Sequence, residues 1–398
     1  MASTSSTIAG VIQGKRTREG PLSGLMILLL YAAAHFCVDL YSSALGVFQP
    51  VFATKMGITL TEAGLLGGMM VLAGSVFQLG WGYLSDRYPS RLYTVLAPAV
   101  TGVFISLLGF GAGFYSLLLL VALGSSGVAS FHPQGSTQAV AGIDGSRAKA
   151  MAFFISAGSL GYALGPMYFS ALIERVGPEW TAMAAIPGVL ATGLLLMLTP
   201  EVSGSGGPAR KLDLEPLKAV WRPMTVLYFL VFLRSTVQVA FAQLLPLYLN
   251  KERGYSLAAS SGALSLYLAG GALGGFLGGH IADRFGGRRV VLASMLGSLP
   301  FLVLFFKADG WLALAGLVMT GVVLLTTNPV NIVMAQELAP GQSSTVSALM
   351  MGFSWGMAGL IFVPLAGLLA DQYSLHTVLQ LFALFPLAGF FLALKLPK

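Results

Sequence analysis

Charge is scarce in this chain. Of its 398 residues only 9% are Asp, Glu, Lys or Arg and 56% are hydrophobic, giving a mean hydropathy of +0.81. A soluble domain carries about 25% charged residues. No soluble core could hide this much apolar side chain, so the bilayer must be part of the solvent. Cysteine is nearly absent. Cys37 is the only one, which excludes a disulfide within the chain and any cysteine-based metal site. No Cys/His cluster has metal-ligand spacing, and no Gly-x-x-x-x-Gly-Lys loop cradles a phosphate, so neither a resident metal or cofactor nor ATP drive is expected. No polar stretch is large enough for a catalytic domain, and the chain is not expected to be an enzyme. The net charge of +7 would suit nucleic acid, but the basic residues fall in alternate loops, which argues for a membrane instead.

Twelve apolar runs make up most of the sequence, each long enough to cross roughly 30 Å at about 1.5 Å per residue. They cover 22–50, 60–84, 92–113, 115–140, 149–172 and 179–199, then 222–249, 257–281, 289–307, 311–336, 343–370 and 375–394. The expected fold is an all-α membrane protein of two pseudo-symmetric six-helix bundles, 22–199 and 222–398. A polar tail, 1–21, precedes them, and a linker, 200–221, joins them. The linker combines Gly/Ser composition with Arg210, Lys211, Asp213, Glu215 and Lys218, as a flexible connection does. The first run is too long for a cleaved signal peptide and lacks a small-residue cleavage pattern, so it reads as a retained helix.

Basic residues fix the expected topology. With the N-terminus inside, sixteen fall in cytoplasmic segments, from Lys15, Arg16 and Arg18 to Lys395 and Lys398. Only Lys55, Arg175, Lys251, Arg253 and Lys307 lie outside. That asymmetry places both termini in the cytoplasm. Arg234 belongs to neither group, because it lies in the middle of the seventh run.

Internal repetition supports two parallel halves. Gly82-Tyr-Leu-Ser-Asp86-Arg87 after the second run is matched by Gly279-His-Ile-Ala-Asp283-Arg284 after the eighth, 197 residues on. His132-Pro133 is matched by Asn328-Pro329, and Gly158 by Gly356, at nearly the same offset.

The Gly-x-x-x-Asp-Arg turn, present in both halves, resembles the signature of the major facilitator superfamily. Its first copy departs at Pro89 and Ser90. Gly161-Tyr-Ala-Leu-Gly165-Pro166 is similar to that superfamily's antiporter motif. Three stretches resemble the fosmidomycin-resistance branch: His35-x-x-x-Asp39, Phe131-His132-Pro133-x-Gly135-Ser136, and Ala335-Gln336-Glu337-Leu338-x-Pro340-Gly341 leading into Gly352-Phe353-x-x-Gly356-Met357. The resemblance implies alternating access, in a bacterial inner membrane, for small molecules such as fosmidomycin-like phosphonates. It departs where the branch usually carries charges after His-Pro, since Gln134 and Thr137 stand there.

The candidate site centres on Asp39, the one carboxylate in the middle of an apolar run. A charge there costs roughly 3 kcal/mol on insertion scales. His35 lies one turn before it on the same face. Arg234 occupies nearly the equivalent place in the other half. One reading makes Arg234 the anchor for an anionic substrate and Asp39 a proton carrier paired with it. The other is a buried ion pair that only fixes helix packing. His35 and His132 could share protons or bind substrate, or could only satisfy backbone carbonyls. Gln134, Gln138, Gln238, Gln243, Asn328, Asn331 and Trp355 are candidate substrate contacts, against interhelical hydrogen bonding and packing. Asp86, Arg87, Arg91, Asp283, Arg284, Arg288 and Glu337 are candidate gating residues at cytoplasmic turns, and Gly161, Gly165 and Pro166 join them by the motif resemblance. The expected partners are a small-molecule substrate, protons and the lipid bilayer, and the protein is expected to act as a monomer. Proton-coupled export is the leading expectation. Uptake by symport or facilitated diffusion uses the same residues, and a non-transporting receptor is the distant alternative.

Overall fold

The computed structural model describes residues 23–88, 90–143, 146–199, 218–340 and 343–396. The expected tail, 1–21, and residues 200–217 of the expected linker lie outside the described residues. Among those described, every regular element is helical. Twelve spans are long and apolar enough to cross a membrane. The first six are α1 (Gly24–Met56), α2 (Leu60–Ser85), α3 (Leu92–Phe110), α4 (Phe114–Val140), α5 (Lys149–Val176) and α6 (Pro178–Leu198). The second six are α7 (Trp221–Lys251), α8 (Leu257–Phe285), α9 (Gly287–Lys307), α10 (Gly310–Leu338), α11 (Thr345–Gln372) and α12 (Leu375–Ala393). All twelve expected runs are present.

The main boundary difference is in α1, which runs past 50 to Met56. Gly57 ends it in the left-handed conformation, at φ 64°, while Pro50 sits inside the helix and costs it one backbone bond. α1 is also broken at Ser43–Ala44. Just before the break, Ser42 Oγ donates to the Asp39 carbonyl at 3.0 Å and Ser43 Oγ to that of Leu40 at 3.3 Å. Such hydroxyls compete with backbone amides for the same acceptors.

The halves meet closely on the face that carries the α1–α2 turn. Gly64 and Gly367 face each other there, and added Cβ atoms would run into the backbone of the opposite helix. Small residues permit this approach of α2 to α11. Gly46 likewise sits against the Ala242 carbonyl of α7. Midway along, α2 and α11 each loosen into a π-helical turn, Leu72–Val76 and Ala348–Ser354. Gly356 packs against Ser75 and Val76 at that level. Beyond it, toward the Asp-Arg turns, Gln78–Arg87 and Thr327–Leu338 have little contact with the opposite half among the described residues. The halves are therefore closed on one face and parted on the face of the Asp-Arg turns.

Candidate functional site

Just before its break, α1 places His35 and Asp39 on one side, against α4 and α5. The buried His35 Nε2 lies 3.2 Å from Asp39 Oδ2, and His132 Nε2, from α4, lies 3.4 Å from Asp39 Oδ1. Each imidazole is fixed from behind. His35 Nδ1 is 2.9 Å from the Phe154 carbonyl, and His132 Nδ1 is 2.8 Å from the Val128 carbonyl. A carbonyl only accepts, so each Nδ1 carries a proton and each Nε2 is the nitrogen left to exchange one with the carboxylate. Without further protons, two Nε2 lone pairs would face a carboxylate. The contacts therefore call for at least one shared proton. Phe154 also stacks on the His35 ring at 4.2 Å between centroids.

Gly158 makes room for this cluster. A Cβ there would lie 2.6 Å from Asp39 Oδ2. The three ligand atoms fall within 4.8 Å of one another, a spacing that also suits a cation. Spacing along the chain gave no sign of this, because His132 comes from another helix.

Arg234 is buried in α7, only 2% exposed, and it does not pair with Asp39. This corrects the expected ion pair. Its guanidinium donates to Gln238 Oε1 at 2.8 Å and to Ser235 Oγ at 2.9 Å, while its Nε has no partner. Gln238, one turn along, supplies an acceptor that partly replaces the missing carboxylate. Two tyrosines that sequence reasoning passed over lie near the charges. Tyr162 on α5 is within electrostatic reach of Asp39, and Tyr267 on α8 within reach of both Tyr162 and Arg234. The Tyr267 hydroxyl is buried without a partner. Phenols in apolar runs read as packing, and only the crossing of α5 with α8 shows their place.

The remaining candidates divide. Asn331 is fully buried with neither side-chain polar atom bonded, whereas Asn328 is exposed. Gln134 and Gln138 are half-buried on α4, and Gln134 Oε1 has no partner. Gln243 is not in a cavity wall. It is buried between the halves on the closed face, against Gly67 and 3.8 Å from Met70 Sδ. Trp355 is half-buried and packs against the main apolar core.

Two of the turn arginines reach helix ends in their own halves. Arg91 donates to carbonyls of the last turn of α6, at Leu196 (3.3 Å) and Thr199, and Arg288 donates to Leu394 at the end of α12 at 3.0 Å. Cations at helix C-termini complement the dipole. Arg87, Asp283 and Arg284 are exposed on the open face, and the side chain of Asp86 lies outside the described residues. Glu337 lines a cavity of about 790 Å³ there, with Arg288, Arg289 and Met334. Gly161 and Gly165 receive the α1 backbone at Phe36 and Leu40, a packing role within one half, and Pro166 lies just beyond them inside α5.

The Major Facilitator Superfamily profile matches residues 31–265 and 227–398. The chain belongs to this superfamily. The transporter is 28% identical to the fosmidomycin resistance protein of Escherichia coli K12, over 91% of each chain. It is also 28% identical to the uncharacterized MFS-type transporter YfnC of Bacillus subtilis 168, over 98% of this chain and 97% of that one. The resemblance read from the Asp-Arg turns and His35-x-x-x-Asp39 is thus borne out. A crystal structure of a bacterial homologue of the human lysosomal transporter Spinster, inward-facing and occupied, shares the fold. Its TM-score is 0.79 at 14% identity, over 94% of this chain and 97% of that one.

Proposed function

We propose that this transporter lies in the bacterial inner membrane with both termini in the cytoplasm. There it exports an anionic or zwitterionic small molecule, of the phosphonate class, in exchange for protons. The distribution of Lys and Arg supports the orientation. It makes the open face cytoplasmic, where substrate would enter. The observation that carries the reading is the separation of two charged sites: a partly buried Asp39 between two imidazoles in one half, and a buried Arg234 with an unpartnered Nε in the other. The fosmidomycin resistance relative supports a phosphonate as the probe.

Exchange requires that proton and substrate exclude one another. Asp39 can meet that requirement. The anionic end of the substrate engages Arg234, and a hydroxyl or ammonium donor on it takes the Asp39 oxygens in place of the imidazolium protons. Those protons leave to water in the opening. On the outer side, protons return to the cluster and the substrate departs. Neither histidine need leave its backbone carbonyl, since only Nε2 exchanges.

Purified protein in inside-out proteoliposomes tests this with fosmidomycin. An acidic lumen is expected to drive accumulation into the vesicle. Accumulation driven only by an alkaline lumen would make the protein a symporter for uptake.

A further inference from the structure

We propose that Glu174 and Asp371 are a matched pair of latches, each carried by one half and closed on a helix of the other, that position the halves with the face opposite the Asp-Arg turns shut. Asp371, near the end of α11, accepts from Leu60 N at 3.1 Å and Thr61 N at 2.8 Å, and from the Thr61 hydroxyl at 2.6 Å. These are first-turn groups of α2. Glu174, near the end of α5, accepts from Ala258 N at 2.8 Å, in the first turn of α8. The two carboxylates are 197 residues apart, and so are the two amides at Thr61 and Ala258. That is the offset of the Asp-Arg turns. Thr59 and Ser256, at the same offset, are the side-chain caps of these helices, so the latch supplies acceptors that the helix's own cap leaves over.

Both carboxylates sit near the C-terminal end of their own helix, where negative charge opposes the dipole, and both reach across to an N-terminal end, where it is favoured. The preference for docking is therefore built into each half, and opening loses it twice. Both side chains are exposed, so water replaces the lost bonds as the face opens. A buried pair would lock the protein. An exposed cap biases the equilibrium and still releases in every cycle.

Distances across the closed face test the proposal in the full chain with Cys37→Ala. Spin-label pairs at Val176→Cys/Ala259→Cys and at Leu65→Cys/Leu368→Cys report the two crossings. In substrate-free protein, Glu174→Gln and Asp371→Asn are each expected to raise the open population about fivefold, the size of losing one helix cap. The double variant is expected to raise it further at both crossings. Ala258→Pro removes the amide that Glu174 accepts from, at a first-turn position that tolerates proline. It is expected to match Glu174→Gln, and the two together should do no more than either alone. Unchanged distances in the Glu174→Gln/Asp371→Asn protein would overturn the proposal. So would full additivity of Ala258→Pro with Glu174→Gln, because the bond would then not be what either change removed.

Discussion

Asp39 and Arg234 hold nearly equivalent places in the two halves, yet they do not pair. Asp39 has His35 and His132 at 3.2 and 3.4 Å, and Arg234 has Gln238 and Ser235 at 2.8 and 2.9 Å. Neither charge relies on the other half for its partners, although the neutral Gln238 and Ser235 leave the buried Arg234 without a counter-charge. The halves can therefore separate at this level without breaking an ion pair. Tyr162 lies within electrostatic reach of Asp39, and Tyr267 within reach of Arg234.

Asp39→Asn should uncouple protons from substrate. The amide keeps the size and can still donate to an imidazole Nε2, but it carries no exchangeable charge. Gradient-driven accumulation of fosmidomycin in proteoliposomes is expected to fall at least about tenfold, while counterflow exchange persists. Full accumulation by the variant would remove Asp39 from the coupling path.

Arg234→Ala should weaken anion binding. A hydrogen bond to a charged group contributes about 1.5–3 kcal/mol, so phosphonate affinity measured by calorimetry is expected to drop roughly 10- to 100-fold. Arg234→Lys should restore only part of it, because an ammonium lacks the planar fork. Equal affinity in all three proteins would count against the anchor role.

Substrate affinity should fall as pH falls. Proton and substrate compete for the same carboxylate, so raising the proton concentration favours the cluster loaded with protons. His132→Asn removes one of the two imidazoles that share a proton with Asp39. Between about pH 5 and pH 8, its affinity is expected to change less than that of the wild type. A steeper dependence in the variant would contradict the shared-proton geometry.

Much of this was legible in the sequence because it is local. Run length and polarity gave twelve helices, and the i, i+4 spacing put His35 beside Asp39. What the spacing could not show depends on which helices touch. His132 joins Asp39 because α4 packs against α1, and Gly158 lets α5 close over His35 and Asp39 without a side chain in the way. Arg234 was expected to pair with Asp39, but its bonds go to Gln238 and Ser235 on its own helix. Arg91 and Arg288 read as gating charges, yet each reaches a helix end in its own half. Glu174 and Asp371 show nothing locally, because each acts on a helix of the other half.

Gly158→Ala tests whether that absence of a side chain organises the cluster. The added Cβ would lie 2.6 Å from Asp39 Oδ2, and it would also fall on the His35 ring. α1 packs against α4 as well as α5, so the helices cannot simply part. The expected cost is about 1–3 kcal/mol, seen as a lower thermal midpoint, with loss of proton-driven accumulation. The cost should depend on the ring. In a His35→Ala background the space opens, and Gly158→Ala is expected to lower the midpoint little further. Gly161 is the control. A Cβ there meets the Phe36 backbone rather than a side chain, so Gly161→Ala should destabilise equally with or without His35. If His35→Ala fails to relieve Gly158→Ala, the glycine serves helix packing alone, and the imidazole–carboxylate geometry does not depend on it.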